Sequence, residues 1–540
     1  MKKTIFFLSL FVAISCNKDD TTSSLTIAID SIESFQATIS WSFQGANGQT
    51  LYKLVLENEV LEEAFSGNQY TFNYLQNNTS YSGVVFAISQ NGDETFQEFS
   101  FRTTTLGQQN QDPTVWRGTA VLNTQAEVDA FDFRVVTGAL WIYSANVTDL
   151  SNLSSLESVG SIRIDDTSLQ SLNGLHNLVN VEDPEGRFIL EIRRNNSLSD
   201  IAALQNVSNF ATTLNVFGNN SLSNLVDLGI APSADLIHIS NCDTENFDFL
   251  SNLETLENLI LKDIGNLNAH GLSGFANLTS LNRFDIKNVR GIQDLLGFGN
   301  LTSIATNGLV IKDCPDLISL DGLENLISIN DDAIQLENLE SLQSISALSN
   351  LTGNLSMIRL INLNSLTSLE GLNGIESTRG AVQLNHLNSL TNLQGLNSLR
   401  EALGGFALNN MDNFITTDGL DSFETVATGY DYFHLIPSGY FGLFNLPKFN
   451  SFQGLNNLSF IGELYIINCP SLANLDGLEN VHESFDFGAW ITIGDNTLLS
   501  DFCGLTLWAN SVNRGGGYGT FNNAYNPTWF QIGSSSQCSQ

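Results

Sequence analysis

Positive charge is scarce in this chain. Its 540 residues include 21 lysines and arginines against 57 aspartates and glutamates, a formal charge of -36. A surface field of that sign repels phosphate backbones and anionic headgroups, so nucleic acid is not an expected partner. Charge of either sign is thin, at 14% of residues, while 42% are hydrophobic. That is enough for a large core and excludes a disordered chain. Asn, Ser, Thr and Gly supply the remaining polarity, as in β-rich extracellular proteins with many turns. Histidine is limited to His176, His238, His270, His386, His434 and His482. They are scattered singly, without the spacing of a catalytic zinc site. A Gly-x-Ser-x-Gly elbow, a phosphate-binding loop and a dinucleotide fingerprint are missing as well. Carboxylate pairs such as Asp165-Asp166 and Asp331-Asp332 read as solvated turns in so acidic a chain, and no EF-hand-like spacing supports calcium. No catalytic residue, metal or cofactor is expected, and the chain reads as a non-enzyme.

Residues 1–15 carry Lys2 and Lys3, an apolar core from Ile5 to Ile14, and the small residues Ala13 and Ser15. About ten apolar residues cannot cross ~30 Å of hydrocarbon, so the stretch reads as a signal peptide rather than a membrane span. Ala13-Ile14-Ser15-Cys16 resembles a bacterial lipobox. The resemblance implies that Cys16 is acylated, becomes the mature first residue and anchors a soluble body through residues 16–24. Asn17-Lys18-Asp19-Asp20 resembles the Lys-acid-acid signal that sends lipoproteins of some Gram-negative groups to the outer face of the outer membrane. Of the other cysteines, Cys242, Cys314 and Cys469 each follow Asn or Asp at one repeat position, which suits small buried fillers. Cys503 and Cys538 bracket the tail and form a disulfide candidate.

Residues 25–104 alternate in segments such as Thr38-Ile39-Ser40-Trp41-Ser42-Phe43 and Gly83-Val84-Val85-Phe86-Ala87-Ile88, with turn signals at Asn47-Gly48 and Gln90-Asn91-Gly92. Period two predicts β-strands. Trp41 on an early strand, and Tyr81 after the run from Leu75, resemble a fibronectin type III domain with its tyrosine corner. Such a sandwich is expected to act as a spacer. Residues 105–114 are polar and aperiodic, a linker. Residues 115–138 read as an N-terminal cap, with a strand from Trp116 to Leu122 and a helix opened by the capping box of Thr124 and Glu127.

From residue 139 to 500 one unit repeats. Leu309 to Leu326 returns almost intact from Leu464 to Val481. Taking the second apolar residue of each strand gives Ile142, Ile164, Ile192, Val216, Ile239, Leu261, Ile286, Ile311, Leu336, Leu360, Leu384, Leu408, Leu443, Ile466 and Ile493. Most steps are about 24 residues, the period of a leucine-rich repeat; the step from Leu408 to Leu443 is longer and is expected to loop out around Tyr430 to Gly439. Asn195, Asn219, Asn241, Asn288, Asp313, Asn338, Asn362, Asn409, Asn468 and Asp495 are expected to turn one corner as a stacked ladder bonding backbone groups. These units resemble leucine-rich repeats and the receptor L-domain. The Ser319–Leu326 form and the Thr124–Phe131 stretch resemble L-domain-like surface lipoproteins of bacteria. Residues 501–540, rich in Gly, Asn and aromatics, read as the C-terminal cap. The fold class expected is mainly β: a sandwich, then a long capped parallel solenoid.

The scarce basic residues fall on strand positions that face solvent. Arg163, Lys262, Lys287, Lys312 and Arg359 are the candidate ligand-binding residues. Lys262, Lys287 and Lys312 recur at one position in consecutive units, so three ammonium groups would align across about 10 Å. Like charges in a ladder repel. Either Asp263, Asp285 and Asp313 compensate them, or sulfate, uronate or carboxylate groups of a partner do. The expected function is non-covalent recognition of a surface protein or polysaccharide through the sheet face. One alternative is polysaccharide capture for uptake, whose sign would be exposed aromatics such as Trp141, Tyr143 and Tyr465. A glycan hydrolase would need two carboxylates held apart in a cleft.

Overall fold

The computed structural model describes residues 24–540 apart from 34, 45–49, 58, 74, 90–93, 105–113, 182–188, 208–212, 224, 226, 227, 229–231, 266, 331, 427–438, 483–489 and 512–516. Cys16 with its flanking leader and export signal, most of the linker, and the loop around Tyr430 lie outside the described residues. The chain divides into two compact units, Met1–Asp112 and Pro113–Gln540.

The first unit contains strands β1 (Ser24–Ile32), β2 (Ala37–Gln44), β3 (Leu51–Leu56), β4 (Glu59–Phe65), β5 (Gln69–Phe72), β6 (Ser80–Ile88) and β7 (Glu94–Arg102). They form two antiparallel sheets, ordered β1-β2-β5 and β4-β3-β6-β7. Alternation sends Ala37, Ile39 and Trp41 of β2 inward, where they meet Leu54, Phe72, Val85 and Phe101 in one core. The Trp41 ring makes edge contacts at 5.6 Å with Tyr52 and Phe65. Tyr81 lends its hydroxyl oxygen to the Gln76 backbone N–H at 2.6 Å, tying down the loop before β6.

The second unit is a parallel β-solenoid of about 15 turns. A capped helix, Gln125–Asp129, precedes it, with Thr124 and Glu127 satisfying each other's backbone N–H groups. Two short strands, Val115–Trp116 and Ala120–Leu122, pair with Val135–Tyr143 and begin the sheet. Each coil then adds one parallel strand. All fifteen sequence-derived inward positions lie in direct register, from Ile142 against Ile164 through Leu408 against Leu443 to Ile466 against Ile493. They are fully buried in one continuous core. A single coil has no partner for that apolar pair, so the stack itself creates the interior. The leucine-rich-repeat-like solenoid expected from the period is therefore the observed architecture.

The corner after each strand corrects the expected single ladder, because two successive positions share the work. The first takes the left-handed backbone conformation: Asp166, Arg194, Gly218, Asn241, Asp263, Asn288, Asp313, Asn338, Asn362, His386, Asn410, Asn445, Asn468, Asp495 and Asn522 all have positive φ. Asn and Asp tolerate it best after glycine, which explains the composition. Their exposed amides link coil to coil, as Asn362 to Asn338 and Asn338 to Asp313, both at 2.6 Å. Asn409 is instead the last strand residue. The second position points inward, and there Asn195, Asn219, Asn496 and Asn523 are buried. These are the amides that bond backbone: Asn195 donates to the Ile164 carbonyl at 3.0 Å and accepts from the Thr167 N–H at 2.9 Å. Cys242, Cys314 and Cys469 occupy the same inward slot in other coils. Across the coil, Gly322 has φ +108°, and a Cβ there would overlap the Leu295 carbonyl oxygen of the preceding coil.

In the C-terminal half a second parallel sheet forms on another side of the coils, from Thr352–Leu355 through Gly374–Thr378, Glu401–Ala402 and Thr425–Val426 to Phe460–Ile461. The main sheet also continues beyond residue 500, since Tyr518–Phe521 pairs parallel with Trp490–Gly494. The Tyr-Gly-Thr-Phe sequence hides this strand, because a glycine takes an outward place and Thr520 an inward one. Helices Thr506–Asn510 and Trp529–Ile532 and a Cys503–Cys538 disulfide complete the cap, with Trp529 packed on Trp508 and Tyr518.

Candidate functional site

The outer face of the main sheet is where the solenoid offers chemistry. Pleating leaves alternate side chains pointing outward from every coil, in two continuous rows with a third, containing Tyr440, Glu463 and Trp490, where the strands are longer. One row runs Trp141, Arg163, Glu191, Asn215, His238 and on to Gln335, Arg359, Gln383 and Tyr465; the other runs Tyr143, Asp165, Arg193, Phe217 and on through Lys262, Lys287, Lys312 and Glu337 to Phe444. The inward rows are Ile, Leu, Val or Phe in coil after coil. The outward rows follow no such rule.

Near the N-terminal end the face is a dense ion-pair network. Arg163 pairs with Glu191, and its guanidinium lies 5.7 Å from the Trp141 ring centre. Asp165, only 5% exposed, receives Arg193 and a two-pronged contact from Arg194 at 2.9 and 3.0 Å. Arg193 also lies 5.4 Å from the Phe217 ring, on which His238 stacks at 5.7 Å. Burial, with help from Lys262 and Arg283, holds the His238 imidazole below its ordinary pKa, so it is neutral in the stack.

Lys262, Lys287 and Lys312 do occupy one row on three successive strands. Acidic neighbours accompany each of them. Lys262 lies 3.9 Å from Asp263, Lys287 lies 4.0 Å from Asp313, and Lys312 pairs with Glu337 at 3.0 Å while donating to Gln335 at 2.9 Å. Asp285 is taken by Arg283 at 2.7 Å and leaves the ladder alone. Arg359 stands in the other row and shares Glu337 with Lys312 at 2.8 Å, while donating to Gln383 at 2.7 Å. Burial opposes ionisation of Glu337, yet hydrogen bonds from Lys312 and Arg359 outweigh it and hold its carboxyl below the ordinary value. The five basic candidates thus do not form one patch: Arg163 belongs to the N-terminal network, and the other four to a compensated mid-sheet ladder. Lys262 and Lys287 keep only long contacts and are about half exposed, at 47% and 46%.

Toward the C-terminal end aromatic rings cover the face. Tyr440, Phe444 and Tyr465 contact one another at 5.5 to 6.2 Å between centres. A Cβ on Gly442, between the first two, would run into both their rings. On the next two strands, Trp490 lies across Gly517 and Phe521 lies across Gly494, and these residues are 56% and 41% exposed. The Tyr465 hydroxyl donates to Glu463 at 2.9 Å; burial and that carboxylate push its pKa up to about 12, so it stays a neutral donor. Of the aromatics expected on the face, Tyr465 alone belongs to this strip; Trp141 is engaged by Arg163, and the Tyr143 hydroxyl accepts from Asn123 at 3.1 Å. The signal in the sequence was glycine at outward strand positions flanked by aromatics, as in Tyr440-Phe-Gly-Leu-Phe444.

The cysteines have structural roles. Asp501 lies with Cys503 and Cys538 within 4.8 Å, but the two sulfurs are bonded to each other and offer no thiolate. Burial pushes the thiols of Cys242, Cys314 and Cys469 up to about 12, so at neutral pH they are protonated and unreactive. Among the described residues no helix is long and apolar enough to cross a membrane.

No family model matches the chain, and no curated protein does. Among solved structures, the chain is similar to an internalin, inlF, of Listeria monocytogenes, at 15% identity and a TM-score of 0.28, over 73% of this chain and 89% of that one.

Proposed function

We propose that the chain is a cell-surface lipoprotein that recognises a protein or glycan partner non-covalently through the outer face of its solenoid sheet. Lipid on Cys16 anchors it to the outer membrane, facing the cell exterior. The first unit, with its three- and four-stranded sheets, buried Trp41 and the Tyr81 hydrogen bond, acts as a fibronectin type III-like spacer. One observation carries the recognition reading: inward positions of the sheet are uniform from coil to coil, whereas outward ones hold Trp, Arg, Glu, His, Lys, Gln and Tyr in no structural rhythm. Stacking needs only the inward rows, so the outward diversity is available for a partner. The role is binding, without catalysis. Arrays of glycans and surface proteins probed with the purified chain test it: reproducible saturable binding supports recognition, and release of product from a glycan would refute the non-enzymatic role.

A further inference from the structure

We infer that the aromatic strip at the C-terminal end of the sheet binds an uncharged polysaccharide. The inference rests on the outer sheet face being the binding surface and names the ligand class for one part of it. Tyr440, Phe444, Tyr465, Trp490 and Phe521 come from four consecutive strands, so at ~4.8 Å per strand they cover about 14 Å. Glycine beneath a ring is what lets it lie across the sheet. Side chains at Gly442, Gly494 and Gly517 would collide with rings that now rest over those positions. A ring lying over backbone turns a face to solvent, and the C–H face of a pyranose stacks on such a face.

The polar surroundings narrow the ligand class. Tyr465 and Glu463, joined at 2.9 Å, and Thr492 beside them supply hydroxyl and carboxylate groups for sugar hydroxyls. Glu463 is the only charged residue among the outward positions of these four strands. With no cation among the described residues of the strip and a chain of charge -36, uronate and sulfate groups are repelled there. The strip begins five strands beyond Lys312, about 24 Å along the sheet, so the lysine ladder does not reach it. Charge complementarity thus favours a neutral glycan over the anionic one that the ladder alone suggests.

The test is native affinity electrophoresis of the full chain in gels holding a neutral β-glucan, galactomannan, xylan or α-glucan, or the anionic polymers alginate and dextran sulfate. Retardation by at least one neutral polymer is expected. Trp490→Ala and Tyr465→Ala should each weaken it about tenfold with an unchanged unfolding midpoint, because both rings sit outside the core. Lys287→Glu with Lys312→Glu should leave it unchanged. No retardation by any neutral polymer, or retardation indifferent to both aromatic variants, overturns the inference. Binding to anionic polymers alone, lost in the double lysine variant, overturns it while leaving sheet-face recognition standing. Binding of a protein that Trp490→Ala abolishes, without any neutral glycan, does the same.

Discussion

Asn496→Ala probes the buried half of the corner. Asn496 is fully buried; its side-chain oxygen accepts the Cys469 backbone N–H at 2.8 Å, and its amide donates to the Ile466 carbonyl and to Asn523 Oδ1, both at 3.0 Å. Alanine strands the Cys469 N–H in a dry interior, at a cost of about 2 kcal/mol, and removes two donated bonds worth about 1 kcal/mol each. The sum, about 4 kcal/mol, acts on neighbouring coils because each coil of a solenoid contacts mainly its neighbours. Native-state hydrogen exchange followed by mass spectrometry should therefore show residues 463–496 exchanging ~10³-fold faster, with residues 284–340 unchanged. Asn468→Ala is the control, since Asn468 lies in the exposed ladder with φ +58°. It should cost about 1–2 kcal/mol through left-handed strain and up to about 1 kcal/mol for its exposed amide bond to Asn445, less than the buried variant. Protection of the 463–496 segment within threefold of the parent, or equal loss in the two variants, would refute the division of the corner into an exposed and a buried position.

Reducing the Cys503–Cys538 disulfide, which closes a separation of 35 residues, should lower stability by about 3–4 kcal/mol, seen as earlier melting of the C-terminal cap in a reductant-dependent thermal scan. In the native protein Cys242, Cys314 and Cys469 should resist iodoacetamide at neutral pH and react fully only in denaturant; mass spectrometry of the alkylated peptides checks this. Glu337 has a folded pKa below its unfolded one, so its contribution is complete above the ordinary carboxylate range and is lost as pH falls through the lowered folded value. The difference in unfolding midpoint between the parent and Glu337→Gln should accordingly be largest near neutrality and shrink as pH falls below the ordinary carboxylate range.

Period and alternation made the solenoid legible because its core obeys one rule, an apolar pair at fixed spacing, which identifies Ile142 through Ile493 strand by strand. The corner was only half legible. Asn suits both a left-handed turn and a buried amide, so Asn195 and Asn241 look alike in sequence although they occupy successive positions. The spacing of Lys262, Lys287 and Lys312 was readable, but their partners were not: Glu337 binds Lys312 and Arg359 together from two rows, and that geometry exists only once coils are stacked. The aromatic strip is not legible in the sequence for a related reason. Its rings come from four coils and rest on glycines of the same or neighbouring strands, so no single repeat contains the pattern.

On the proposed function, a partner docks on the outer face of the long sheet. The most direct test compares three proteins on the same glycan and surface-protein arrays: the parent, a face variant carrying Arg359→Ala, Tyr465→Ala and Trp490→Ala, and a variant altered elsewhere on the coils at Leu296→Ser and Ile327→Ser, both 55% exposed in the parent. The face variant should lose the parent's binding while the second variant keeps it. Binding that survives in the face variant and falls in the second would contradict docking on the sheet face.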